Sequence, residues 1–205
     1  MKLRDSAIAL GVGAATAAGL SLLKVNKDLV VGSTAVVVGA GLMIAFKEKN
    51  DLNIKARNYE YFFNRAQDKF ELADYEEAIL DYNKALELSP TEICLVYSMR
   101  GNAKRNLGDL DGAISDQNKA LDFDPLYADG YFNRGIAKFN KKDFDGAIDD
   151  YSQVIEINPK DSDAFFNRAN TKKELGDIKG ACEDWKKALD LGDKEAERLL
   201  QENCE

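Results

Sequence analysis

Histidine is absent from this 205-residue chain. Its absence removes the Ser-His-Asp triad, the Cys-His pair, the HExxH zinc site and any side chain whose unperturbed pKa lies near neutrality. Cysteine is scarce as well. Cys94, Cys182 and Cys204 are odd in number, widely spaced and include no CxxC, so they predict neither a disulfide framework nor a zinc site and fit a reducing compartment. Basic residues are outnumbered, 28 against 36 acidic, for a net charge of −8. Such a chain repels phosphate backbones, and no nucleic-acid partner is expected.

The charge is unevenly spread. Residues 1–50 carry a balance of +3 and residues 51–205 a balance of −11. The basic head holds two uncharged runs, 7–23 (AIALGVGAATAAGLSLL) and 29–46 (LVVGSTAVVVGAGLMIAF). The second, as a helix, rises roughly 27 Å, close to the ~30 Å of bilayer hydrocarbon. Its nine Leu, Ile, Val and Phe residues favour insertion by roughly 3 to 5 kcal/mol before its glycines and polar residues are subtracted. Three readings compete for the head. A transmembrane hairpin would use Gly11, Ala15, Gly19 and Gly32, Gly39, Ala40 for close helix approach. A secretory signal would be cleaved near Ala15-Thr-Ala17 and leave one span. A buried non-membrane hairpin is the third. Lys2, Arg4, Lys47 and Lys49 outside the hairpin against Lys24 and Lys27 in its loop favour both ends in the cytoplasm. The expectation is therefore an anchor over 1–50, a linker over 51–58, and a body facing the cytoplasm of a bacterial inner-membrane-type bilayer.

The body repeats itself. Four aligned lines run over 62–90, 97–125, 131–159 and 165–193. Ala78, Ala113, Ala147 and Ala181 recur at intervals of 35, 34 and 34, and Pro90, Pro125 and Pro159 at 35 and 34. Each line reads as helix, short turn, helix. The turns are marked by Ala73-Asp74, Gly108-Asp109, Lys142-Asp143 and Gly176-Asp177, where Asp is a natural N-cap and Asp74 with Glu77 predicts a capping box. One helix pair cannot bury its own apolar face, so stacked pairs and a terminal cap are expected. Residues 194–203 suit that cap, with Leu199 and Leu200 inward.

These landmarks resemble the tetratricopeptide repeat (TPR), W-x2-L-G-x2-Y, then A-x3-F, then P. Phe62, Tyr97, Tyr131 and Phe165 stand at the Trp position; Ala66, Gly101, Gly135 and Ala169 at the Gly position; and Tyr82, Tyr151 and Trp185 at the second aromatic position, which Gln117 breaks. Arg65, Arg100, Arg134 and Arg168 replace the Leu, and Lys69, Lys104, Lys138 and Lys172 the first Tyr. The resemblance implies an all-α, right-handed superhelix of four repeats (59–92, 94–127, 128–161, 162–195), with a capping helix and tail over 194–205.

It further implies a concave groove, lined by first helices, that binds an extended peptide or a partner's helix without catalysis. The groove candidates follow each leading aromatic: Phe63, Ser98, Phe132 and Phe166, then Asn64, Met99, Asn133 and Asn167, then Gln67, Asn102, Ile136 and Asn170. An amide pairs with both N–H and C=O of any peptide, so Asn64, Gln67, Asn102, Asn133, Asn167 and Asn170, with Phe132 and Phe166, form the expected ligand set. The alternative is that the amides link adjacent helices or face solvent and the Phe residues belong to the core. A basic clamp for a terminal carboxylate is missing: its places carry Phe63 with Gln67 and Asp129 with Asn133. Glu60, Asp129 and Asp163 favour a neutral or basic segment. The recurrent Arg is read as a repeat-to-repeat bond to an acidic neighbour.

Other motifs fail on context. Gly11-Val-Gly13 lacks the third glycine and the preceding strand of a dinucleotide loop. Asp122-Phe-Asp124 and Asp143-Phe-Asp145-Gly146 lack the later ligands of a calcium loop, and pairs such as Asp149-Asp150 read as solvated helix surface. No enzyme, metal or cofactor is expected. The predicted function is a membrane-anchored adaptor or scaffold that binds protein or peptide. A self-associating homo-oligomeric scaffold is the alternative.

Overall fold

The computed structural model describes residue 54 and residues 57–88 and 92–204. All regular structure among them is α-helical, as expected. Helix α1 covers 57–71, followed by α2 (Tyr75–Glu87), α3 (Ile93–Asn106), α4 (Leu110–Phe123), α5 (Ala128–Asn140), α6 (Phe144–Ile157), α7 (Ser162–Glu174), α8 (Ile178–Asp190) and α9 (Glu195–Asn203). Successive helices pack on one another, and α3 also touches α5. The runs 7–23 and 29–46 lie outside the described residues. The expected membrane placement is corrected: no described helix is long and apolar enough to cross a membrane. From α2 onward the helices are nine to fourteen residues long, against the ~20 apolar residues a span needs.

Each turn between paired helices is one hydrogen-bond motif used four times. The N–H of Asp74, Asp109, Asp143 and Asp177 returns to the carbonyl of Lys69, Lys104, Lys138 and Lys172, and the N–H of the residue before each Asp returns to Phe70, Arg105, Phe139 and Lys173. This Schellman closure requires a left-handed residue just before the Asp. Gly108 (φ 84°) and Gly176 (φ 83°) supply it, whereas Ala73 (φ 59°) and Lys142 (φ 66°) adopt it against their Cβ. The closing Asp then opens the next helix: Asp109, Asp143 and Asp177 accept the N–H of Gly112, Gly146 and Gly180. The predicted capping box at Asp74 does not form. A Cβ at Gly112, Gly146 or Gly180 would overlap the capping carboxylate, and the first repeat carries Glu77 at that place, whose carboxylate turns to Lys69 at 3.1 Å instead.

Small residues set the spacing within a pair. Ala66, Ala78, Ala113, Ala147, Ala169 and Ala181 are buried, and a Cβ on Gly135 would lie 2.8 Å from the Tyr151 ring. Tyr82, Tyr151 and Trp185 fill the space beside them, with Gln117 equally buried in their column.

A buried carboxylate crosses each pair. Asp81, Asp116, Asp150 and Asp184, on α2, α4, α6 and α8, are almost wholly buried. Each accepts two hydrogen bonds from the Arg 16 residues earlier, at 2.5–2.9 Å. Each also pairs with Lys69, Lys104, Lys138 or Lys172 at 2.7–2.9 Å. The acidic partner expected across repeats is thus inside the repeat. The Arg reaches the preceding repeat with its remaining arm, to Asn83 (2.5 Å), Asn118 (2.6 Å) and Ser152 (2.9 Å). In the first repeat that arm meets Tyr61, and in the last repeat the position of Asn83, Asn118 and Ser152 holds the exposed Lys186. The reading of Asp149-Asp150 as solvated surface is corrected: Asp149 is exposed and Asp150 buried. Arg65 beside Asp81 holds that carboxyl down at about 2. Its unfolded value is about 3.9, so the stability this pair contributes is present above that value and lost as pH falls toward about 2.

At the far end Ala196, Leu199 and Leu200 of α9 pack on Trp185 and Ala188, while Glu197, Arg198, Gln201 and Glu202 face solvent. Cys182 and Cys204 are joined by a disulfide. This corrects the expectation of unpaired cysteines, and with it the basis for a reducing compartment. The fold-back of α9 brings together two Cα atoms 22 residues apart in sequence, to 5.9 Å. Cys94 is free.

Three outcomes follow. Lys142→Gly relieves a left-handed lysine and is expected to raise stability by about 0.5–1 kcal/mol, or about 2–4 °C in Tm; an unchanged or lower melting temperature contradicts the turn assignment. Asp150→Ala strands two cations and is expected to cost about 3–5 kcal/mol, whereas Asp149→Ala next to it changes stability by under about 0.5 kcal/mol in denaturant titration. Cys204→Ser reopens the disulfide loop and is expected to cost about 3 kcal/mol, with amide exchange accelerated in α9 and unchanged in α3.

Candidate functional site

The ion-pair ladder decides which side chains remain for a ligand. It engages all four recurrent arginines and all four recurrent lysines, and each Arg also stacks on its leading aromatic at 5.2–5.5 Å: Phe62, Tyr97, Tyr131 and Phe165. What the first helices α1, α3, α5 and α7 leave over is mostly amide, phenyl and carboxylate.

On α1, Asn64 is exposed and Gln67 half-buried; on α3, Asn102 is half-buried. Asn133 of α5 donates to the Ser98 hydroxyl at 3.3 Å and so bridges two first helices. Asn167 donates to the Asp163 carbonyl one turn back in its own helix at 2.8 Å. Asn170 accepts the Trp185 indole N–H at 3.0 Å, a bond between the two helices of the last pair. Phe132 meets Tyr151 edge-on at 5.8 Å. Phe166 packs on the cluster of Ala169, Trp185 and Ala188, and Phe63 lies inside the first core cluster. The set therefore divides: Asn64, Gln67 and Asn102 have no side-chain bond among the described residues, while Asn133, Asn167, Asn170 and the phenyl rings already have one protein neighbour each.

Ala128, Asp129, Phe132, Val154, Asp161 and Asp163 line a cleft of about 140 Å³ between the starts of α5 and α7. The Asp161 carboxylate caps α7 through the Ala164 N–H, leaving Asp129 and Asp163, both at positions that point away from the core, exposed. The cleft is an aromatic floor under acidic walls.

Sequence reasoning passed over one polar group of this face. Arg105 lies seven residues past Ser98 and three past Asn102, on the same side of α3. Its Nε is buried and without a hydrogen-bond partner, as is Oε1 of Gln117. Gln117 donates its amide to the Ser98 carbonyl at 3.1 Å. Burial pushes the Arg105 guanidinium below its usual range. The signal was in the repeat itself: Phe70, Arg105, Phe139 and Lys173 are equivalent positions, and the second and fourth are charged where the first and third are aromatic.

Comparison with known proteins agrees with this architecture. Tetratricopeptide repeat models match residues 59–92, 128–161 and 151–183, and a TPR repeat model matches 101–142. The crystal structure of MamA superposes with a TM-score of 0.63 at 23% identity, covering 77% of this chain and 91% of that one. The first TPR of Spaghetti (RPAP3), bound to the HSP90 peptide SRMEEVD, gives 0.53 at 27% identity over 55% of this chain and 91% of that one. The Arabidopsis OM64 TPR domain gives 0.56 at 19% identity over 58% of this chain and 98% of that one. No curated protein sequence matches the chain. Matched from its first helix pair to its last, the chain belongs to the tetratricopeptide repeat family.

Proposed function

We propose that the repeat array is a non-catalytic protein- or peptide-binding module, an adaptor or scaffold whose ligand lies along the face made by α1, α3, α5 and α7. The observation that carries this reading is the row of amides at Asn64, Gln67 and Asn102, exposed or half-buried and unbonded among the described residues, beside the phenyl-floored cleft under Phe132. Amides bond a peptide backbone whatever its side chains, and phenyl rings receive its apolar residues. A peptide bound to the first TPR of Spaghetti (RPAP3) supports the choice of ligand class. Asn133, Phe166, Asn167 and Asn170 complete the proposed surface. The three amides each have one polar group held by the fold and the other without a side-chain bond among the described residues, and Phe166 offers what its packing leaves half-buried.

The working units are repeats 59–92, 94–127, 128–161 and 162–195, with 194–205 as the cap. Asp129 and Asp163 make the ligand neutral or basic where it passes the start of α5 and α7, because a carboxylate there would meet two others.

The test is cross-linking of the full chain in its own cells, with identification of the held proteins, in wild type and in the Asn133→Ala, Asn167→Ala double variant. Loss of two amide bonds to the ligand, at about 0.5–1.5 kcal/mol each, is expected to cut recovery of the principal partner by roughly tenfold while the melting temperature moves by only a few degrees. Undiminished recovery rules this face out.

A further inference from the structure

The last helix is held by a different device from the others. At the three interior junctions Arg100, Arg134 and Arg168 tie a first helix to the preceding second helix through Asn83, Asn118 and Ser152. Helix α9 repeats the register of a first helix, since Leu199, Leu200 and Glu202 stand 34 residues after Phe165, Phe166 and Arg168. A glutamate thus takes the arginine's place, and the tie is lost. Glu202 pairs with Arg198 of α9 itself, and Asn203 donates to the Leu199 carbonyl one turn back. Among the described residues no ion pair and no N–H or O–H hydrogen bond joins an α9 side chain to α8. The disulfide between Cys182 and Cys204 crosses the junction instead.

Little else holds α9 in place. Its nine residues fall short of the ~12–15 at which an isolated helix is still only marginal. It gives the core one fully buried side chain, Ala196, with Leu199 and Leu200 half-buried against Trp185 and Ala188. Both cysteines are half-buried, Cys182 on α8 and Cys204 just past the end of α9, so the bond lies near the surface, where a thiolate can approach it. Trp185 connects this end of the array to the proposed ligand face. Its indole N–H donates to Asn170 at 3.0 Å, and Phe166 packs on the same cluster.

We propose that the Cys182–Cys204 pair is a thiol–disulfide switch that sets how firmly the last repeat presents Asn170 and Phe166 to a ligand. Its reductant is a dithiol. One dithiol sulfur, as thiolate, bonds to one cysteine sulfur while the Cys182–Cys204 bond breaks, and the other cysteine leaves as a thiolate that takes a proton. The second dithiol sulfur then displaces the first cysteine, which is protonated in turn. Two electrons pass to the cysteines, the dithiol becomes a disulfide, and its two protons end on two cysteine thiols; the reverse exchange closes the pair again. With the bond open, α9 leaves α8, Trp185 loses one wall of its site, and the bond that positions Asn170 loosens. The effect on a ligand rests on the peptide-binding reading above; the switch itself does not.

Trp185 is the only tryptophan of the chain, so its emission reads the event directly. The test treats the oxidised full chain, carrying Cys94→Ser to remove the free thiol, with dithiothreitol in the absence of denaturant and counts the thiols freed by alkylation. Opening is expected to free two thiols, shift the tryptophan emission to the red and speed amide exchange in α9 roughly tenfold, with α3 unchanged. Cys204→Ala is expected to show the reduced chain's emission from the outset and no response to dithiothreitol. A decapeptide selected from a randomised library on the oxidised chain is expected to bind the reduced chain about threefold more weakly. Should Cys204→Ala fail to fold, the oxidised and reduced forms of the Cys94→Ser chain carry the same comparison. Two freed thiols with unchanged emission and unchanged exchange in α9 overturn the switch, and so does a pair that dithiothreitol leaves closed in the folded chain. Equal peptide affinity in the two states overturns the coupling to the ligand face. Absence of any selected peptide overturns the peptide-binding reading, while emission and exchange still decide the switch.

Discussion

Four carboxylates buried between paired helices are the constraint on which the rest of the array depends. Asp81, Asp116, Asp150 and Asp184 could not stay ionised inside the fold without compensation, and each takes it from two cations of the facing helix, one bidentate and one point-like. A bidentate Arg fixes orientation as well as distance. The Ala and Gly contacts that let the helices approach therefore have a single register in which to do so. The third arm of Arg100, Arg134 and Arg168 then ties this register to the preceding pair through Asn83, Asn118 and Ser152. Packing of small residues supplies much of the cohesion, and the ion pairs decide how the pieces are aligned.

The same ladder shapes the surface left for recognition. Eight basic side chains that composition alone would offer to an acidic ligand are turned inward, and the first helices present amides, phenyl rings and the carboxylates of Asp129 and Asp163. The first helices of an array with a net acidic body thus offer mainly neutral hydrogen-bonding groups. The second repeat, with Gln117 and Arg105 where its neighbours have aromatic rings, interrupts that regularity at the middle of the face.

Much of this was legible in the sequence because it is periodic. The Ala, Gly and aromatic columns place every described helix pair, and the Asp after each turn marks where a second helix starts. What was missed depends on distance or on a single atom. Asp81, Asp116, Asp150 and Asp184 recur as faithfully as the alanines three residues before them, but their meaning appears only when the residue 16 positions earlier is brought opposite. A charge on a helix looks solvated until its partner is in place. The capping box at Asp74 failed because Glu77 has a Cβ where the other repeats have none. The Cys182–Cys204 pair depended on the fold-back of α9, which no local pattern dictates. In the candidate site, the amide positions could be named in advance, whereas the neighbours of Asn133 and Asn170, which belong to other helices, could not.

Lys186 breaks the row of neutral oxygens at its last position. At every interior junction the incoming Arg finds a neutral oxygen on the preceding second helix; the equivalent place on the last pair holds an exposed ammonium group. A fifth repeat appended after α8 would start with two cations in contact, and a second molecule docking its first repeat there would meet the same repulsion. The oxygen-for-arginine exchange is kept at the three interior junctions alone among the described residues.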